Sequence, residues 1–370
     1  MKWLANTLVK SLGFSTNRKI IVFESDDWGA LRAPSRQHYE LLKSKGININ
    51  SAFNRLDTIA SGYDLERLMN VLLSHVDGNG VHPSITALCI MANPDFGRIK
   101  DAGFDQYYYK KFTDTQKEVY PNEDTLGIWT RAIAENVFVP QLHGREHLNA
   151  SVWMAQLKKG HDHTLEAFKA GCWGIGKVDV GGVPVKYIEA FNIFDPKREL
   201  AFQEQSLKDA TTIFRDTFNS LPQYFVAPNG PFSFKLLPVL KQLGIKQTVF
   251  PLLYREPMGH GKKRLRICIP GRRVYEDIIT TPRNAHFEPH LNAAESVEAC
   301  MARIRSCFEN KLPCVISSHR LNYVSRLSQQ NADSALARLN ELLTRINASF
   351  PDVEFMNSLE LGALINSRYS

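Results

Sequence analysis

The chain has 370 residues, 44% hydrophobic and 22% charged, an ordinary globular composition that supports one large α/β domain or two smaller ones. No run of eighteen apolar residues occurs, so nothing spans a bilayer, and the six scattered cysteines form no C-x-x-C pair and read as reduced core thiols. The formal charge of +7 is spread along the chain; it suits anionic glycans, nucleotides or membrane surfaces and lacks the clustered signature of a nucleic-acid binder.

In the opening stretch MKWLANTLVKSLGF, Asn6 and Lys10 interrupt the apolar run and no small-residue cleavage pattern follows, which predicts a cytoplasmic protein without a cleaved signal. Trp3, Leu4, Leu8, Leu12 and Phe14 share one helical face. Residues 1–17 are therefore expected to form a helical segment packed on the domain, with peripheral membrane contact through residues 1–14 as the alternative. No repeat, low-complexity tract or linker follows, so residues 18–370 read as one domain.

Strand-like apolar runs occur at Lys19–Glu24, Ser84–Met91, Phe138–Leu142, Val185–Phe191, Tyr224–Ala227, Gln247–Phe250, Asp277–Thr281 and Cys314–Ser318, with a short one near Val353–Met356. Helical patterns lie between most of them, at Tyr63–Val76, Asn122–Asn136, Val152–Ala170, Glu199–Asn219, Ser233–Leu243, Ala293–Asn310 and Asp333–Ala348. This alternation predicts parallel βα units in a barrel or a doubly wound sheet, and periodicity does not choose between them. The stretch from Leu252 to Arg273, containing GHGKKRLR, reads as an irregular insertion with a solvated basic face.

In parallel folds, loops at the carboxyl ends of strands form the ligand face. Three strand ends carry chemistry here. ESDDWG brings Glu24, Asp26 and Asp27 together, VPQLHGREHLN brings His143 and His147 at a spacing of four, and PCVISSHRLNY ends a strand on His319. Two imidazoles and a carboxylate make an open site for a catalytic divalent metal. An aspartate pair alone is also a common turn or helix cap, and an H-x-x-x-H pair alone is common at surfaces, so it is the combination that points to a site.

The order of an aspartate pair, H-x-x-x-H, an aromatic-x-x-Pro segment (FVAPNG) and a late strand ending in His resembles the NodB-homology polysaccharide deacetylases, carbohydrate esterase family 4. The resemblance spans Phe23 to His319 and implies a distorted, TIM-like (β/α) barrel of about seven parallel strands. It implies Asp26 as general base, Asp27, His143 and His147 as ligands of a divalent metal, and His319 as general acid. Zinc is the expected ion, with cobalt, nickel or manganese as alternatives. The backbone amide near Asn229 takes the oxyanion role. The implied activity is metal-dependent hydrolysis of an amide or ester acetyl group on a sugar of a polysaccharide or glycan precursor, with acetylated carbohydrate as the partner.

The sequence departs from the family pattern at three places. Val226 stands where an Arg usually tethers the base, Asn229 follows the Pro where an aromatic is usual, and Gly144 replaces the Ser or Thr after the first ligand His. Arg145, Arg283 and Arg320 are the candidate substitutes for the missing tether, with Arg283 in TTPRNAHFEPH favoured because it ends a strand. Trp28 is open to a sugar-stacking or a core role, Glu24 to a supporting role, and Asn322 and Tyr323 to hydroxyl binding. His161, His163 and His290 read as ordinary, and His286 as one to watch beside Arg283.

Two other functions compete with deacetylation. A carbohydrate-binding homologue with impaired chemistry draws on Val226. A barrel glycoside hydrolase would need Glu24 or Glu146 as a second carboxylate at the scissile bond.

Overall fold

The computed structural model describes residues 12–369, so most of the expected N-terminal helical segment lies outside the described residues. Within reach of it, Leu12 is exposed, whereas Phe14 is buried and its N–H donates to the Pro270 carbonyl.

The run KIIVFESDDW forms β1 (Lys19–Trp28), buried along almost its whole length. A strand covered on both faces is continuous in apolar character rather than alternating, which is the mark of parallel sheets. The other strands of the sheet are β2 (Ile85–Ile90), β3 (Phe138–Gly144), β4 (Tyr224–Phe225), β5 (Gln247–Thr248), β6 (Arg273–Tyr275), β7 (Ile278–Thr280), β8 (Ala285–His286), β9 (Cys314–His319) and β10 (Val353–Phe355). Their order is β6-β7-β5-β4-β3-β2-β1-β9-β8, with β10 also on β1. Only the β6–β7 pair is antiparallel.

The sheet curls because residues 278–286 meet both of its edges. Ile279 and Thr280 register with Gln247 and Thr248, while Ala285 and His286 register with Ile316 and Ser317. Counted as one interrupted stave, β7 and β8 complete seven parallel staves, the expected single-domain distorted (β/α) barrel. Short β10 occupies the side of β1 that β2 takes further along, since Ile21 pairs with Phe355 and Phe23 with Ile85. The outer layer includes helices α1 (Gly62–Leu73), α2 (Thr125–Ala134), α3 (Pro196–Phe218), α4 (Ala293–Glu309) and α5 (Gln329–Ser349). Their buried residues recur at helical spacing, as in Leu336, Leu339, Leu343 and Ile346 of α5.

Three sequence expectations need correction. Val185–Phe191 is not a sheet strand: Val183–Val185 pairs with Val178–Val180 in a hairpin, and the chain then turns, with Glu189 N–H donating to Lys186 C=O. Tyr187 and Phe191 are buried from that loop, and apolar character alone does not separate a core-filling loop from a strand. The Val152–Ala170 helix is two helices, Ala150–Lys158 and Asp162–Lys169, parted at Gly160 with φ +75°. The Leu252–Arg273 insertion contains an antiparallel ribbon, Leu253–Gly259 with Lys262–Ile267, whose register slips between Pro257 and Gly259. The six cysteines are free and buried. Among the described residues, no helix is long and apolar enough to cross a membrane.

Candidate active site

Adjacent residues of a regular strand point to opposite faces, so Asp26 and Asp27 would ordinarily be separated. The register of β1 against β2 slips between Ser25 and Trp28, and Asp27 sits at φ +75°. This bulge re-aims the side chains so that both carboxylates reach the same mouth, a use to which bulges near active sites are put. A non-glycine residue in that region carries strain, which the surrounding contacts must hold.

Those contacts differ between the two residues. Arg283, in the gap between β7 and β8, grips Asp26 with two parallel bonds, Nη1 to Oδ2 and Nη2 to Oδ1, each 2.7 Å. Its Nε donates to Glu24 at 2.5 Å, and Glu24 also accepts from the Tyr224 and Ser358 hydroxyls at 3.1 and 2.7 Å. Burial alone would raise the Asp26 pKa, but Arg283 and the nearby His143 and His319 imidazoles bring it down to about 2. Of the three arginines that the sequence offers as a tether for Asp26, Arg283 is the one that contacts it.

Asp27 meets the imidazoles instead. Its Oδ1 lies 3.5 Å from His143 Nε2 and 3.0 Å from His147 Nε2, while Oδ2 accepts from Arg32 Nη2 at 2.9 Å. His143 is aimed by Nδ1 at the Val226 carbonyl, 2.7 Å away, so the departing position serves through its backbone. His147 stacks on Trp173 with ring centroids 6.2 Å apart. Asp27, His143 and His147 are all buried and each offers a ligand atom within 4.8 Å of the others. Asp27 Oδ1 is buried without a hydrogen-bond partner, although it faces both rings. A buried orphan oxygen beside two converging imidazole nitrogens fits a divalent cation and costs free energy otherwise. The group could therefore hold a metal. Burial lowers the His147 pKa, while His147 and Arg32 together hold Asp27 well below the usual carboxylate range against burial.

Behind Asp27 lies a buried ionic chain that the sequence did not disclose. Arg32 Nε approaches Asp57 at 3.8 Å, and Asp57 Oδ1 accepts from Arg320 Nε and Nη2 at 3.0 and 2.9 Å. Burial, with the charge of Asp27 adding to it, raises the Asp57 pKa against the two arginines. The guanidinium of Arg32 also lies over the Phe53 ring at 4.8 Å.

Opposite, His319 ends β9. Its Nδ1 bonds Glu288 Oε1 at 2.6 Å, and Glu288 Oε2 accepts from Asn322 at 2.8 Å. Burial alone would lower the His319 pKa, but the hydrogen bond and charge of Glu288, with Asp26 and Asp27 beyond, raise it to about 9. Glu288 was missed in the sequence, although it lies in the same TTPRNAHFEPH stretch as Arg283.

These groups open onto a cavity of about 680 Å³ lined by Asp26, Asp27, His143, His147, Arg283 and His319 at one end. Asn48, Asn50, Lys177 and Lys186, on loops, and Asn54, on the short helix Ala52–Leu56, line it as well, and sequence periodicity leaves all of them unmarked. His286 and Asn229 are also in the wall. Asn229 is the second corner of a type II-like turn, with φ +59° and Gly230 N–H donating to Ala227 C=O at 3.0 Å.

Other candidates lie elsewhere. Trp28 is buried against Trp129 and Phe138, each with centroids 5.6 Å away, and is a core residue. Arg145 turns outward to Glu146 and Asp209 at 2.6 Å and lies over Tyr109, so it does not reach the mouth. Arg320 is fully buried on Asp57. Tyr323 bonds Ser318 and Asn322 bonds Glu288, leaving neither in the wall. His161 caps the helix Asp162–Lys169; His290 bonds Asn322. Neither Glu24 nor Glu146, the two candidates for a second carboxylate in a glycosidase, lines the cavity, whose carboxylates are Asp26 and Asp27.

No family model matches the chain, and no curated protein matches it in sequence. Among solved structures, a Parabacteroides distasonis protein provisionally named a glycoside hydrolase/deacetylase is 8% identical with a TM-score of 0.53, over 97% of this chain and 74% of that one. A Mycobacterium smegmatis protein, provisionally named a polysaccharide deacetylase, is 11% identical with a TM-score of 0.46, over 97% and 94%. A Bacillus anthracis protein described as a CE4 family pseudoenzyme is 10% identical with a TM-score of 0.39, over 94% and 66%. At these identities the likeness is one of fold, and the Parabacteroides structure shares with this chain the curled parallel (β/α) barrel.

Proposed function

We propose that the protein is a divalent-metal-dependent hydrolase that removes an acetyl group, bound as amide or ester, from a sugar of a glycan or glycan precursor. The observation that carries this reading is the convergence of Asp27, His143 and His147 on one buried point, with Asp26 beside it. A cation held there, zinc being the most frequent in sites of this composition, polarises the acetyl carbonyl and acidifies the attacking water.

The chain's own residues supply the rest. Asp26, anionic at neutral pH and fixed by Arg283, has lone pairs beyond the two used by the guanidinium and accepts the proton of the attacking water. His319, protonated at neutral pH, delivers a proton to the departing amine or alcohol. Two titratable groups pushed apart in this way, one to about 2 and the other to about 9, divide base from acid. The oxyanion role falls to the backbone amide of Asn229, whose turn lines the cavity. Asn48 and Asn50, exposed in the cavity wall, offer amides suited to sugar hydroxyls, while the Asn54 amide is spent on the Ile49 and Gly174 carbonyls.

The test is metal analysis of purified protein together with acetate release from acetylated chito-oligosaccharides and acetylated xylan. The wild type is expected to hold about one equivalent of divalent metal and release acetate from one of the two substrates. The His143→Ala, His147→Ala variant should lose the metal and, with it, activity by on the order of a thousandfold. Equal metal content in the two proteins removes the ligand set.

A further inference from the structure

The antiparallel ribbon Leu253–Gly259 with Lys262–Ile267 stands outside the ten-stranded sheet. Directly opposed residues of such a pair put their side chains on one face. The register sets Leu253 against Ile267, Arg255 against Leu265 and Pro257 against Lys263; Pro257 is buried, and the other five make the outer face.

The inner face is occupied by the protein itself. Tyr254 and Glu256 are buried, the Tyr254 hydroxyl donating to the Phe232 carbonyl at 2.6 Å and Glu256 accepting from Arg266 at 2.8 Å. The outer face is apolar and cationic together: Leu253, Leu265 and Ile267 are 53%, 62% and 65% exposed, and Arg255 and Lys263 beside them are exposed as well. Lys262 and Arg264 add charge close by, and no carboxylate belongs to the face. Three large aliphatic side chains on one exposed ribbon face mark a surface that something covers.

We propose that this ribbon docks the protein on an anionic lipid bilayer. Leu253, Leu265 and Ile267 enter the acyl boundary. Arg255 and Lys263, on long apolar stems, reach the phosphate level. A second copy of the chain fits poorly, because a two-fold contact sets the face against itself and opposes its cations with no acid to pair them. The ribbon adjoins the mouth: Val249 and Pro251, just before it, line the site cavity. A second cavity of about 400 Å³ joins Lys262 and Lys263 to Lys177 and Lys186, which also line the mouth. Docking therefore sets the mouth beside lipid headgroups, and it stands whether or not the site deacetylates.

The test is sedimentation of the full-length protein with vesicles of phosphatidylcholine and with vesicles containing phosphatidylglycerol as well. Binding is expected to the anionic vesicles and to weaken as salt rises. Leu265→Ser with Ile267→Ser should lower the bound-to-free ratio about tenfold, as should Arg255→Ser with Lys263→Ser. Each variant should keep the wild-type unfolding midpoint, because the replaced side chains are exposed. Absence of wild-type binding to anionic vesicles, or equal binding by all three proteins, overturns the proposal. So does a wild-type dimer, formed without vesicles, that Leu265→Ser with Ile267→Ser dissolves, since that assigns the face to self-association.

Discussion

On one side of the mouth Arg283 holds both oxygens of Asp26; on the other, Arg32 holds one oxygen of Asp27 and leaves the second facing His143 and His147. The two carboxylates are sequence neighbours and both are buried, so burial does not distinguish them. What differs is how many acceptor sites the local arginine consumes and what stands opposite the remainder. Asp26 is fully oriented and faces the cavity with His319 across it. Asp27 keeps one oxygen orphaned beside two imidazole nitrogens. Each arginine is itself backed by an acid, Glu24 behind Arg283 and Asp57 behind Arg32. A crowded set of carboxylates thus becomes two separate positions, one suited to holding a cation and one to accepting a proton.

The largest expected effect that probes this contrast comes from Arg283→Met. It leaves Glu24 and Asp26 buried without their cation, which should cost about 3–5 kcal/mol in urea unfolding, with activity lost while metal content is kept. Loss of metal in that variant would merge the two sides that the comparison separates. Arg32→Met should do the converse, weakening metal affinity about 10–100-fold through Asp27 while leaving the Asp26 clamp intact, as read by competition with a chelating dye.

A subtler change is expected from Glu288→Gln. In the wild type the His319 pKa is raised to about 9 from an ordinary 6.5, so the activity needing its proton falls as pH rises through about 9. The variant's alkaline limb should move down toward 6.5. Stability follows the same sign: a raised folded pKa contributes stability that is fully present below about 6.5 and lost as pH rises through 9, and this slope should flatten in the variant. A bound cation offsets the Asp27 part of the shift and leaves the Glu288 part, so the limb should still move in metal-loaded enzyme. An unmoved limb would separate His319 from the chemistry.

The fold and the inner site were legible because parallel staves deliver their carboxyl ends to one place. An apolar run followed by Asp26, His143 or His319 is enough to locate each of them, and Arg283 is visible by the same reasoning. What defeated sequence reading was direction. Arg320 follows His319, but the strand ends there and Arg320 opens a 3-10 turn, Arg320–Asn322, from which it bonds Asp57. Arg145 lies between the two site histidines, yet its loop aims it outward among Tyr107, Tyr109 and Phe202. Asp57, Arg32, Asn48, Asn50 and Asn54 carry no periodic signal, and only the three-dimensional path of the chain brings them to or behind the mouth. The basic stretch GHGKKRLR hid a ribbon, since an exposed two-stranded hairpin shows neither core alternation nor an apolar run.

The most direct measurement is elemental analysis beside acetate release for Asp26→Asn and Asp27→Asn, prepared identically with the wild type. The division of roles predicts that Asp26→Asn keeps about one equivalent of metal and loses activity, whereas Asp27→Asn loses both. Metal retained by Asp27→Asn, or lost from Asp26→Asn, would contradict it.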